Sequence, residues 1–301
     1  MKMIGELAAL GAAICWTVSA VLYKKALLKA KSIPANIVRC VCTSIVLVFC
    51  LAVVGKFGVL MDLPLYAVVL ASVSGIIGLG LGDTLYMVSL RLIGVARAVP
   101  ITCTYPLFNL LLAVFLQGEA ATLYVVLGAV LIVVGIWLVS REEKEIGISE
   151  PQKRILVKGV ASALATAIVW AVSITMINMA VTLSETGSLD RALAINTIRV
   201  SVVAVFLLAS APITDRKFSF IKMQKKPLVA LVFGGIVALA LGWFLLTYSF
   251  LYIPESKAVP VSSTSPLFAT ASGIFLREQV TAKNVAGSII VVVGIFLIFM
   301  I

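Results

Sequence analysis

Apolar runs of about 20 residues, each long enough to cross a bilayer as a helix, follow one another along the whole chain with only short polar breaks. They fall near residues 4–23, 35–55, 65–90, 95–116, 121–139, 156–180, 191–211, 227–250, 256–276 and 281–300. The pattern predicts an all-α polytopic membrane protein of ten transmembrane helices. Its longest polar stretch, Arg141 to Arg154, is too short for a domain and reads as a cytoplasmic linker. The expected organisation is a first unit over 1–140, a linker over 141–155 and a second unit over 156–301.

The second unit repeats the first. AAICWTVSA, from Ala12 to Ala20, returns as TAIVWAVSI from Thr166 to Ile174, an offset of about 154 residues that sets Trp16 against Trp170 and Ser19 against Ser173. Asn36 and Arg39 then match Asn196 and Arg199 at an offset of about 160. VPITCTYPLF (Val99 to Phe108) matches VPVSSTSPLF (Val259 to Phe268), and Glu119 and the glycines at 128 and 135 match Glu278 and those at 287 and 294. Prolines, Trp, Arg, Asn and Glu are rare inside membranes, so their coincidence is not a by-product of apolar composition. Five spans per copy is an odd number, which forces the copies to cross the bilayer in opposite directions. Two inverted five-helix repeats are the build of a secondary transporter.

Composition agrees and narrows the function classes. With 62% hydrophobic residues, 12% charged residues and a mean hydropathy of +1.17, the chain falls far below the roughly 25% charge of soluble domains. The net charge of +11 is explained by position and not by nucleic-acid binding. On the ten-span topology 19 of the 24 basic residues share one side, leaving Lys2, Lys56, Arg191, Arg199 and Lys257 on the other. The positive-inside rule then puts both termini outside, and a prokaryotic cell membrane is the expected location. The first 20 residues resemble a signal peptide, but Lys24 and Lys25 follow the apolar run and the segment has a counterpart in the sixth span, so it is expected to stay in the mature protein. Histidine is absent and the acids are scattered, which argues against a metal, a cofactor or an enzymatic centre. Cys15, Cys40, Cys42, Cys50 and Cys103 show no pairing or metal spacing and read as packing residues. The Gly75-x-x-Gly78-x-Gly80-x-Gly82 run lacks the strand and Lys-Ser/Thr of a phosphate loop and reads as close helix packing or local flexibility.

Several residues carry candidate chemistry. Asp83, deep in the third span, is expensive unless it works. It either binds a substrate ammonium or carries a proton, or it is a carboxylate near the cytoplasmic end, wet or paired with Arg91 or Arg97. Trp243 stands at the matching place of the eighth span, so the two-fold is broken there. Trp16 and Trp170 lie near mid-depth, where they either face a cavity or pack between helices. Arg39 and Arg199 either snorkel to headgroups or form gates, Arg39 and Arg97 with Glu278 on one face, Arg199 and Lys257 with Glu119 on the other. Pro100, Pro106, Pro260 and Pro266 are expected to kink the fourth and ninth spans. The freed carbonyls need polar partners, which Thr102, Thr104, Tyr105 and Asn109 supply in one copy and Ser262, Ser263, Thr264 and Ser265 in the other.

Ala98-Val99-Pro100, Pro106-Leu107-Phe108, Glu119 and Gly128/Gly135, repeated as Ala258-Val259-Pro260, Pro266-Leu267-Phe268, Glu278 and Gly287/Gly294, resemble the EamA-type branch of the drug/metabolite transporter superfamily. The resemblance covers nearly the whole chain. It implies a central cavity walled by spans one to four and six to nine, with the fifth and tenth as buttresses. The expected function is export or exchange of a small polar metabolite such as an amino acid, driven by its own gradient or by protons. The alternatives are a lipophilic-cation exporter and, further off, a lipid-headgroup flippase. The candidate substrate residues are Asp83, Tyr86, Trp16, Trp170, Trp243, Asn109, Thr104 and Thr264. The expected partners are a small-molecule substrate, the lipid bilayer and protons if Asp83 carries them. A single chain holds both halves, so either a monomer or a homodimer is compatible.

Overall fold

The computed structural model describes residues 2–109, 123–140, 150–182, 189–253, 255–276 and 278–298. All regular structure among them is helical. Six helices are long and apolar enough to cross a membrane: α1 (Lys2–Leu27), α2 (Ser32–Val53), α3 (Leu65–Ile93), α6 (Glu150–Thr182), α7 (Leu189–Thr214) and α8 (Lys225–Ser249). The 26 residues of α1 extend about 39 Å at 1.5 Å per residue. The remaining helices are shorter: α4 (Val95–Thr102), α5 (Leu123–Ser140), α9 (Glu255–Ser262), α10 (Ser265–Phe275) and α11 (Ala282–Ile298). Helix α6 starts at Glu150, inside the stretch expected to be linker.

The fourth and ninth expected spans are broken, and the break corrects the reading of their prolines. Pro100 and Pro260 sit inside α4 and α9 as expected. Each helix then ends in a turn, at Cys103–Thr104 and Ser263–Thr264, before Pro106 and Pro266 open the next segment. Proline fits the first turn of a helix because its missing N–H would have no partner there, so Pro106 and Pro266 start helices and do not kink them. Hydroxyls take up the carbonyls at the breaks: Thr104 Oγ1 donates to Ile101 O at 2.7 Å and Thr264 Oγ1 to Val261 O at 2.8 Å.

A second irregularity has no simple signature in the hydropathy pattern. In α3 the backbone widens to a π-helix over Gly75–Gly82, and in α8 over Ile236–Gly242, at matching places of the two repeats. π-Winding misaligns carbonyls from their usual donors. Asn36 donates through Nδ2 to Leu79 O at 2.9 Å and Gly80 O at 3.2 Å, and Asn196 to Leu239 O at 2.8 Å. The two asparagines, matched in sequence, thus hold the two π-segments.

Packing interleaves the repeats. Helix α1 lies along α8 of the other copy, its counterpart α6 lies along α3, and α2 pairs with α7. Glycines let these helices meet. A Cβ on Gly75 would fall 2.4 Å from the Arg199 carbonyl oxygen, and one on Gly234 2.7 Å from the Tyr23 ring. Helix α5 packs on α11, where a Cβ on Gly294 would lie 2.8 Å from Gly128 O and one on Gly287 2.8 Å from Gly135 O. The outer faces of this pair, with Val130, Val133, Trp137, Ile289 and Val293 exposed, are apolar, as a lipid-facing surface requires.

Candidate functional site

Where α1, α3, α4 and α6 meet α8, a cavity is walled by Trp16, Tyr23, Tyr86, Tyr105, Trp170 and Trp243. Its charged wall is Arg39 with Asp83. Arg39 lies two turns into α2, is 1% exposed, and donates through Nη2 to Asp83 Oδ2 and through Nε to Asn36 Oδ1 at 2.8 Å. Its guanidinium carbon also stands 5.0 Å from the centre of the Tyr23 ring. The other carboxylate oxygen of Asp83 accepts the indole N–H of Trp170 at 2.8 Å. Asp83, 2% exposed, is therefore neither wet nor paired with Arg91 or Arg97. Its partner comes from another helix, brought alongside by the Asn36 contact with the π-segment of α3.

Of the two arginines expected to meet Glu278 at a gate, Arg39 does not reach it in this geometry. Its charge is used inside the bundle, while Glu278 accepts the backbone N–H groups of Val95 at 2.8 Å and Ala96 at 2.9 Å. A carboxylate at a helix N-terminus meets orphan donors and the positive end of the dipole, so Glu278 clamps α4 to the end of α10. Arg97 and Lys24 line the same cleft, and Lys24 Nζ donates to Leu90 O at 2.8 Å.

Of the gate expected on the other face, only the Arg199 side chain falls among the described residues. Glu119 and the side chain of Lys257 lie outside the described residues. Arg199 itself is 0% exposed, nearly three turns into α7, with its guanidinium carbon 3.8 Å from the Trp243 ring centre and Nη2 donating to Ser173 Oγ at 2.9 Å. Snorkelling fails for both arginines because α2 and α7 begin earlier than their apolar runs suggest, and this buries the charges.

Of the expected substrate residues, the structure brings Asp83, Tyr86, Trp16, Trp170 and Trp243 to one cavity. Trp16 lies 5.1 Å from Trp243, and Trp170 lies 5.1 Å from Tyr86 and 6.4 Å from Tyr105, ring centre to ring centre. Thr104, Thr264 and Asn109 are not part of the wall. Sequence reasoning did not name Tyr23, Ser19 or Cys103 as lining residues, and it gave Thr102, Tyr105 and Ser265 only as partners of freed carbonyls. The paired prolines supplied a signal, since Cys103, Tyr105 and Ser265 lie in or beside the turns that precede Pro106 and Pro266. Across the repeat interface Cys103 Sγ meets Ser265 Oγ at 3.0 Å, and Tyr105 Oη meets Ser262 Oγ at 3.0 Å. The Tyr23 hydroxyl donates to Gly234 O at 2.8 Å inside the bundle.

Apolar helices with lipid-compatible outer faces, two interleaved copies of one repeat and, between them, a buried aromatic cavity holding one ion pair define a multi-pass membrane protein of the transporter class. The EamA-like transporter family matches over residues 3–141 and again over 157–300, and the chain belongs to that family within the drug/metabolite transporter superfamily. An uncharacterized transporter of Archaeoglobus fulgidus is 27% identical over 99% of both chains. The uncharacterized transporter YvbV of Bacillus subtilis is 31% identical over 48% of this chain and 45% of its own. A solved crystal structure aligns over 97% of this chain and 95% of its own with a TM-score of 0.64 at 16% identity, a likeness of fold alone.

Proposed function

We propose that the protein is a secondary transporter that exports or exchanges a small zwitterionic metabolite such as an amino acid, by alternating access between its two inverted repeats. The observation that carries this reading is the Arg39–Asp83 ion pair in the wall of an otherwise aromatic cavity. Both charges of a zwitterion find a complement there: Arg39 offers donors to a carboxylate, and Asp83 accepts from an ammonium. A ligand that enters between them replaces one buried pair by two, so the charges stay compensated in both the empty and loaded states. The aromatic rings give the remainder of the ligand an apolar and cation-tolerant surface. In this reading the lysine-rich end faces the cytoplasm of a prokaryotic cell, and the archaeal and bacterial relatives support that location.

The six rings around one carboxylate also favour a lipophilic cation. That reading is the weaker one, because such a cation has to displace Arg39 from Asp83 and leaves the guanidinium buried without a counter-ion.

The test is counterflow into liposomes that hold the purified protein, preloaded with amino acids, bases, sugars or hydrophobic cations. Saturable exchange of amino acids, abolished in Asp83→Asn and in Arg39→Gln, is the expected result. Exchange of hydrophobic cations without amino acids overturns it. Repeating the assay across pH with the wild type and Asp83→Glu, and asking whether the profile shifts between them, reads whether Asp83 also carries a proton.

A further inference from the structure

The two copies hold the same arginine in two different conditions. In the first, Arg39 has the Asp83 carboxylate and the Asn36 oxygen. In the second, Trp243 replaces the aspartate, and the matched contacts are gone. Among the described residues Arg199 Nε and Nη1 have no hydrogen-bond partner, and neither has Oδ1 of Asn196, which stands where Asn36 stands in the first copy. No carboxylate of the described residues comes within ion-pair distance of Arg199. Its one hydrogen bond there goes to Ser173 Oγ, which also bonds Ser74.

A fully buried guanidinium without a counter-ion costs several kcal/mol. Stacking on the Trp243 face offsets part of that and leaves two donors unused. Packing does not demand the charge, since tight glycine contacts hold the backbone side of Arg199 on their own. Trp243 lines the cavity and covers the guanidinium, and Ile174 of the cavity wall adjoins Ser173.

We propose that Arg199 is a second binding station that takes the carboxylate of the ligand, with Trp243 as its cover. When the bundle opens toward α7 and the indole moves, Nη2 together with Nε or with Nη1 forms a bidentate pair with a carboxylate, and the Ser173 and Ser74 hydroxyls flank it. The ligand thus exchanges Arg39 for Arg199 as it crosses, which gives its anionic group a partner in both half-cycles. The identity of the ligand rests on the transport reading above, but anion binding at Arg199 does not require turnover. Failure of exchange and failure of this site are therefore separate results.

The experiment is fluorescence quenching of the purified full-length protein by iodide, a monovalent anion that quenches indole on contact. A saturable component is expected, because a bound anion lies against the Trp243 ring. It disappears in Trp243→Phe and in Arg199→Gln and survives weakened in Arg199→Lys, while quenching by neutral acrylamide is the same in wild type and Arg199→Gln. Acetate displaces iodide at about tenfold lower concentration than chloride, since only the carboxylate is bidentate. Absence of a saturable component in wild type, its survival in Arg199→Gln, or equal displacement by chloride and acetate overturns the proposal. If Arg199→Gln does not fold, the wild-type competition and Trp243→Phe decide.

Discussion

Replacing Asp83 by Asn removes one charge of a buried pair and strands the other. Arg39, 1% exposed, then keeps only the Asn36 oxygen at 2.8 Å and the Tyr23 ring at 5.0 Å. An isolated charge left behind in this way costs about 3–5 kcal/mol. The new amide still accepts from Trp170 Nε1, so the expected destabilisation is near the lower figure, about 3 kcal/mol. Arg39→Gln alone strands the carboxylate, which keeps one N–H from Trp170, and costs a similar amount. The double variant removes both charges and leaves two amides able to bond each other, so it is less destabilised than the sum by about 2–3 kcal/mol. Unfolding of the purified protein in mixed micelles with increasing SDS, followed for the wild type, both singles and the double, measures this coupling. Additive costs, with the double as damaged as the sum of the singles, refute the claim that the pair is a mutually compensated unit.

Two further predictions test the helix contacts. Gly75→Ala and Gly78→Ala place a methyl 2.4 Å from the Arg199 carbonyl oxygen and 2.1 Å from Ser173 Oγ, so each is expected to cost about 1–3 kcal/mol in the same unfolding assay. Gly58→Ala, with nothing within 4 Å, should stay within about 0.5 kcal/mol and serves as the control. Glu278→Gln weakens two charge-assisted bonds at the start of α4, an expected loss of about 1–2 kcal/mol, read as faster hydrogen exchange at the amides of Val95 and Ala96. Unchanged protection at those two amides counts against the clamp.

The all-helical membrane character and the repeat were legible along the chain because both are one-dimensional. Hydrophobic runs report which segments avoid water, and matched rare residues such as Trp16 with Trp170, or Arg39 with Arg199, survive any way of folding the two copies together. The importance of Asp83 was also readable, since an intramembrane carboxylate is costly in every arrangement. Its partner was not. Arg39 is far from Asp83 in sequence, and Arg91 and Arg97, which are near, point elsewhere because the π-segment of α3 and its Asn36 contact set how α2 and α3 align. The burial of Arg39 and Arg199 was hidden for the same reason. Apolar runs mark where a helix is greasy and not where it begins, so Arg39 and Arg199 read as terminal charges although α2 and α7 start at Ser32 and Leu189 and bury them. Likewise Pro106 and Pro266 looked like kinks until the turns before them made them helix starts. The kinds of residue inside the membrane were thus determined by the sequence, whereas which opposite charges meet, and that Arg199 has none beside it among the described residues, was decided only by the packing of one repeat against the other.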